Sequence, residues 1–269
     1  MCIAYLAIRA HADWPLLIAA NRDEFHDRPS LAAAPWPDRP DVIAGIDCQA
    51  QGTWLGVTRQ GRFALLTNYR DPAHMIGNAP SRGELVSRYL TQPVSARQYA
   101  QGVSDAGAAY NGFNLIVGDL AGAYYVGNRD PRNQAYPMRE GRYVVSNHLL
   151  DTPWPKAERL RRALDGFPLN DLEKSLTPVF EMLKDDTRAD DHVLPDTGIP
   201  LDRERLLSSP FIVSPGYGTR CSTVIAVHAS GRAILSEITY DPAGIATERH
   251  DWPFMIEMDP PRPDAFNTE

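Results

Sequence analysis

Cys2 carries the most specific chemistry in the sequence, because removal of Met1 ahead of it leaves a thiol and a free α-amine on one residue. An α-amine has a pKa of roughly 7.7–8.0, so near neutrality part of it is unprotonated and can accept the proton of its own side chain. The structural alternative is a cysteine that merely starts a buried strand. Asn21-Arg22-Asp23-Glu24 then ends the apolar run Leu16 to Ala20, on a strand expected to pair with the one that starts at Cys2. Polar groups at such a strand end lie where a pocket opens. Asp23 can hold the α-amine there, and Arg22 can lower the thiol pKa or bind an anionic group. Asn21 and Glu24 stand beside them as substrate contacts. A surface ion-pair cluster, worth little to stability, is the other reading of these residues.

Two amides end further apolar runs. Asn68 in LLTNYRD has an N–H suited to the oxyanion of an acyl intermediate, and Asn147 in VVSNHLLDTPW sits at an equivalent strand end. Their neighbours Tyr69 and His148 are candidate substrate contacts. Either asparagine can equally be a turn residue. Arg220 in YGTRCSTV enters a strand from a Gly-rich turn, as a cation at a pocket mouth or as an arginine closing the turn.

Other chemistry is missing. GYGTRC lacks the last glycine of a dinucleotide fingerprint, there is no Walker loop, HExxH or CxxC, and the histidines have no metal-ligand spacing. A formal charge of −7 over 269 residues argues against a nucleic-acid partner. Cys2, Cys48 and Cys221 are too scattered for a disulfide framework, so reduced thiols and a cytoplasmic location are expected. No leader pattern precedes the first apolar run, and no stretch approaches the ~20 apolar residues of a membrane span.

The elements that must position these residues come mostly as hairpins. Ile3 to Arg9 pairs with Leu16 to Ala20, Thr53 to Thr58 with Phe63 to Thr67, and Cys221 to Val227 with Ile234 to Tyr240. Asn114 to Val117, Ala123 to Val126 and Tyr143 to Ser146 are further strands. Helices are expected from Ser81, with Glu84 completing a capping box, and over Ser95 to Ala106, Trp154 to Leu164 and Asp171 to Leu183. The Pro-rich stretch Arg28 to Pro40 reads as an ordered loop, Asp185 to Glu204 as a mobile loop, and the tail after Trp252 as coil. Hairpins with helices grouped between them imply one α+β domain of stacked, mainly antiparallel sheets covered by helices.

The run MCIAYLA…AANRDEFHDRP…AGID…GTWLGVT…LLTNYRDP…SRGELV…YNGFNL…SNHLLDTPWPK…YGTRCSTV resembles the NRDE protein family, related to transport and Golgi organisation protein 2, from Met1 to about Tyr240. The resemblance implies an N-terminal-nucleophile hydrolase fold, a four-layer αββα sandwich. It places the catalytic positions of such hydrolases on Cys2, Asp23, Asn68, Asn147 and Arg220. Two departures stand out: Ala20 and Arg22 flank Asn21 where those hydrolases carry an arginine before the Asn-x-Asp, and Cys221 replaces a commoner serine. The implied activity is hydrolysis of linear amides, or acyl transfer, with a small-molecule ligand and no required cofactor. The family equally implies a non-catalytic carrier of haem or an acyl lipid, tied to haem trafficking or acyl-CoA homeostasis.

Overall fold

The computed structural model describes residues 2–257. Cys2–Ile8 (β1) and Leu16–Phe25 (β2) form the first hairpin, followed by Ser30–Trp36 (β3), Arg39–Asp47 (β4), Leu55–Thr58 (β5) and Phe63–Asn68 (β6). Helices Gly83–Thr91 (α1) and Ala96–Ala106 (α2) precede Phe113–Asp119 (β7), Gly122–Gly127 (β8), Tyr136–Met138 (β9) and Gly141–Val145 (β10). Pro155–Asp165 (α3), Thr177–Leu183 (α4) and Leu201–Leu206 (α5) lead to Tyr217–Val227 (β11), Arg232–Tyr240 (β12) and Ala246–Met255 (β13). A six-stranded sheet runs β10-β1-β2-β11-β12-β13, a seven-stranded one runs β3 to β9 in chain order, and each pairing is antiparallel.

Alternation along the strands builds four layers. Ala4, Leu6, Ile18, Ile225 and Leu235 of the first sheet meet Ile43, Val57, Leu65 and Ile116 of the second in a central core. Ile3, Tyr5, Leu17, Ala19 and Val224 point the other way, against Leu160 and Leu164 of α3 and Val179 and Phe180 of α4. Val42, Ala64 and Leu115 do the same against α1 and α2, through Leu85, Tyr89, Ala100 and Val103. The result is the αββα sandwich. Among the described residues no helix is long and apolar enough to cross a membrane.

Several local expectations are corrected. Arg28 to Pro40 holds β3 and the start of β4, because β3 is an edge strand where proline loses no ladder bond. Its bulge between Leu31 and Ala34 frees the Ala33 N–H to reach across to Glu237 of β12 at 2.7 Å, while Ala33 O accepts from Trp252 Nε1 at 2.7 Å. Trp252 belongs to β13, so the chain is strand rather than coil to Met255, and the rest of the tail from residue 258 lies outside the described residues. No capping box forms: Arg82 is the N-cap of α1, and the Glu84 carboxylate accepts from Tyr110 and Arg88 instead. Asp171 to Leu183 breaks into a 3₁₀ turn at Leu169–Glu173 and α4, with Pro178 in the first turn of α4. Asp185 to Glu204 is anchored rather than free, because the 4%-exposed Glu204 side chain of α5 meets Arg70 at 2.5 Å and accepts from Thr197 N at 3.0 Å.

Glu237 sits buried between the sheets and also accepts from Thr223 Oγ1 at 2.7 Å. Glu237→Ala leaves two buried donors without an acceptor and should cost about 2–6 kcal/mol of unfolding free energy, at about 1–3 kcal/mol per orphaned group. Glu237→Gln keeps one acceptor oxygen and should lose less. Urea unfolding compares them, and an alanine variant as stable as the parent contradicts this role.

Candidate active site

Four strand ends converge at one edge of the sandwich. Cys2 opens β1 and faces Arg22 across the β1–β2 ladder, while Asp23 lies one residue further along β2. Asn68 closes β6 in the opposite sheet, and Asn147 follows β10, the other neighbour of β1. Cys2, Arg22, Asp23, Glu24 and Asn68 line one cavity of about 480 Å³, with Trp54, Asp47 and the 79–83 segment completing its walls.

Alternation decides which way each β2 side chain points. Arg22 falls on the inter-sheet face with Cys2, where its guanidinium lies 4.3 Å from the Trp54 ring centroid and 3.6 Å from an Asp47 oxygen. Asp23 is buried, accepts from Thr219 Oγ1 at 2.7 Å, and its backbone carbonyl accepts from Tyr217 Oη at 3.0 Å. Burial pushes the Asp23 carboxyl above its usual range. Cys2 is half-buried, and burial raises its thiol while Arg22 and the Asp23 backbone N–H oppose that rise. Such a thiol needs a base to become a nucleophile.

Asn147 is wholly buried behind the cavity rather than in its lining. Its Nδ2 donates to the Asn68 carbonyl at 3.0 Å, and its Oδ1 accepts from Lys156 Nζ at 2.9 Å. Asn147 therefore sets the position of Asn68. Asn21 is also placed elsewhere: it faces the helix layer, where Nδ2 donates to the carbonyls of Leu183 and Pro210 and Oδ1 accepts from Ser222. Arg220 occupies the register break of β11 and its Nη1 donates to the carbonyls of Phe25, His26 and Arg28, clamping the turn after β2 instead of lining the cavity. Tyr69 and His148 stack at 4.9 Å on the wall of a second cavity, about 890 Å³, which Arg70 and Trp154 also line. Among the described residues no group of three or more His, Cys, Asp or Glu is placed to hold a metal ion.

Lys156 was not singled out among the candidates of the sequence, yet it is 1% exposed. Burial, reinforced by Arg70, lowers its ammonium from an ordinary value near 10.5 to about 7. The available signal was spacing: Lys156, Leu160 and Leu164 fall at four-residue intervals on the apolar stripe of α3. Between pH 7 and 10.5 the unfolded chain keeps a proton here that the folded chain has released, so this group makes stability rise with pH in that window. Lys156→Met should remove that rise, and the parent should gain on the variant in unfolding free energy across the window. Parallel stability curves contradict the assignment.

The chain matches the family described as Transport and Golgi organisation 2 over residues 1–242. It is 36% identical over 258 residues to the Transport and Golgi organization protein 2 homolog of Bos taurus, covering 88% of this chain and 92% of that protein. It is 36% identical over 240 residues to the Homo sapiens homolog, covering 82% and 85% of the two chains. Among solved structures it is similar to a Caenorhabditis elegans N-acylethanolamine-hydrolyzing acid amidase ortholog, at 13% identity and a TM-score of 0.45 over 83% of this chain and 92% of that one. A mutant conjugated bile acid hydrolase from Clostridium perfringens aligns with 98% of this chain and 100% of its own, at 11% identity and a TM-score of 0.42. With its model matched over most of the length and relatives above a third identical, the chain belongs to the Transport and Golgi organisation 2 family.

Proposed function

We propose that the Cys2 cavity performs acyl transfer on linear amides, with water or a second amine or alcohol as acceptor. The observation that carries this reading is the meeting of Cys2, Asp23 and Asn68 on one cavity of about 480 Å³. With Met1 removed, the α-amine of Cys2 takes the thiol proton as sulfur attacks the carbonyl carbon. Asn68 donates an N–H to the oxyanion that forms, and Asn147, itself held by Lys156, keeps Asn68 in place. Asp23 holds the resulting ammonium. The tetrahedral intermediate collapses by breaking the C–N bond, and the leaving amine takes the proton. Water, deprotonated by the same amine, then breaks the thioester and returns the free thiol.

A second reading has its own support. The cavity of about 890 Å³ carries an aromatic wall of Tyr69, His148 and Trp154, with His148 and Trp154 centroids 5.6 Å apart. That wall suits a flat carried ligand such as haem better than the charged Cys2 cavity does. Hemin titration should then give a saturable, one-to-one absorbance shift that His148→Ala weakens, and binding that never saturates counts against the carrier role.

The acyl-transfer reading is tested on a panel of acyl anilides and thioesters. Cys2→Ala should lower turnover by about a thousandfold or more, as loss of a covalent nucleophile does elsewhere, while the urea midpoint stays near the parent's. Substantial residual turnover in that variant would sink the reading.

A further inference from the structure

Three guanidinium groups, Arg22, Arg28 and Arg82, share the Cys2 cavity with three carboxylates, Asp23, Glu24 and Asp47, and the pairing among them is uneven. Asp47 meets Arg28 at 2.8 Å and Arg22 at 3.6 Å, and Glu24 meets Arg28 at 3.8 Å. Asp23 accepts from Thr219 Oγ1. Arg82 has no carboxylate partner among the described residues, and its Nη1 is held by the Gly112 carbonyl at 3.0 Å. That bond holds the side chain, and Nε and Nη2 have no acceptor among the described residues. Neither atom is fully buried, so each keeps some exposure on a partly buried residue that lines the cavity. These two N–H groups lie on one edge of the guanidinium and form the parallel pair that grips a carboxylate or phosphate.

The surroundings sharpen the point. Burial holds the Arg82 guanidinium below its ordinary value, and the Cys2 sulfur is the first charge to oppose that, followed by Glu24, which puts the fork within electrostatic reach of the thiol. On the same cavity wall the 4%-exposed Arg22 has a buried Nη1 with no hydrogen-bond acceptor among the described residues. Desolvated guanidinium groups with open donors are stabilised by an arriving anion far more than solvated ones.

We propose that Arg82 reads a compact oxyanion, a carboxylate or a phosphate, on the molecule that Cys2 engages. The substrate class that follows is an amide or thioester with an anionic group a few atoms from its carbonyl. This rests on the acyl-transfer reading for the identity of the site, while the recognition step requires no turnover.

Alkylation of Cys2 separates the two claims. Iodoacetate and iodoacetamide differ in charge, and each forms a C–S bond to the Cys2 thiolate as iodide leaves and the thiol proton passes to buffer. Rates at Cys2, followed by peptide mass at constant ionic strength, should fall about tenfold for iodoacetate in Arg82→Gln and stay within about twofold for iodoacetamide. An unchanged ratio of the two rates overturns the proposal. The parent protein gives an independent test if that variant does not fold: acetate or inorganic phosphate should slow iodoacetamide at Cys2 saturably, and the stronger protector names the group. Protection by neither overturns the proposal. Charge-selective alkylation in a protein that turns over no amide or thioester would sink acyl transfer and leave the anion site standing.

Discussion

Asn114 joins the two sheets at the end where the cavity lies. From β7 its Nδ2 donates to the His148 carbonyl at 2.8 Å and to Thr67 Oγ1 at 3.0 Å, and its Oδ1 accepts from Tyr125 at 2.6 Å. Thr67 in turn donates to the Ser146 carbonyl at 2.5 Å. Residues 146–148, which leave the first sheet after β10, are thereby bound to β6 and β7 of the second. The carbonyls on either side of Asn147 are held by the second sheet, and Asn147 meets the Asn68 carbonyl on one side and Lys156 on the other. Elsewhere the sheets meet mainly through apolar packing, with the Ala33–Glu237 and Ala33–Trp252 bonds a second polar link at the β3 edge. The polar junction sets the distance between Cys2 on one sheet and Asn68 on the other.

Behind that junction the protein buries charges of both signs. Asp23, Lys156, Arg70 and Glu204 are almost inaccessible, and Arg70 meets Glu204 at 2.5 Å with the Trp154 ring 5.0 Å from its guanidinium. Taking such groups from water is costly and is only partly offset by their pairing. The cost is visible in the protonation equilibria, since burial raises Asp23 and lowers Lys156, each toward its neutral form. Both groups lie close to a half-buried thiol, in the kind of surroundings where perturbed protonation equilibria cluster. The segment just before α5, Pro195 to Gly198, walls the aromatic cavity together with Arg70, so the Arg70–Glu204 pair holds that wall in place.

Much of this was legible in the residues. The hairpin of β1 and β2 and the strand-end positions of Asp23 and Asn68 follow from apolar runs that stop at polar groups, stacked antiparallel sheets covered by helices follow from the grouping of hairpins and helices, and the four-layer order follows from the family resemblance. What escaped was long-range. Asn147 and Asn68 look alike in sequence, and only the packing of β10 beside β1 puts one behind the cavity and the other on its wall. Asn21 and Asp23 fall on the helix side of β2, away from the face of Arg22, yet Asp23 still reaches the lining of the cavity while Asn21 does not. The edge strand β3 was hidden by its prolines, because the bonds that complete it come from Glu237 and Trp252, more than two hundred positions away. Arg220, expected where a Gly-rich turn enters a strand, lies inside β11 at its register break, and its carbonyl partners are Phe25 at the end of β2 and His26 and Arg28 just after it.

The account rests on Cys2 acting with its own α-amine. The most direct measurement is the intact mass of the protein purified untagged from its own host, with the N-terminal peptide sequenced. The account predicts a mass lacking one methionine and an N-terminal peptide beginning at Cys2. A mass that retains Met1 caps the amine, removes the base from the mechanism, and contradicts the central claim.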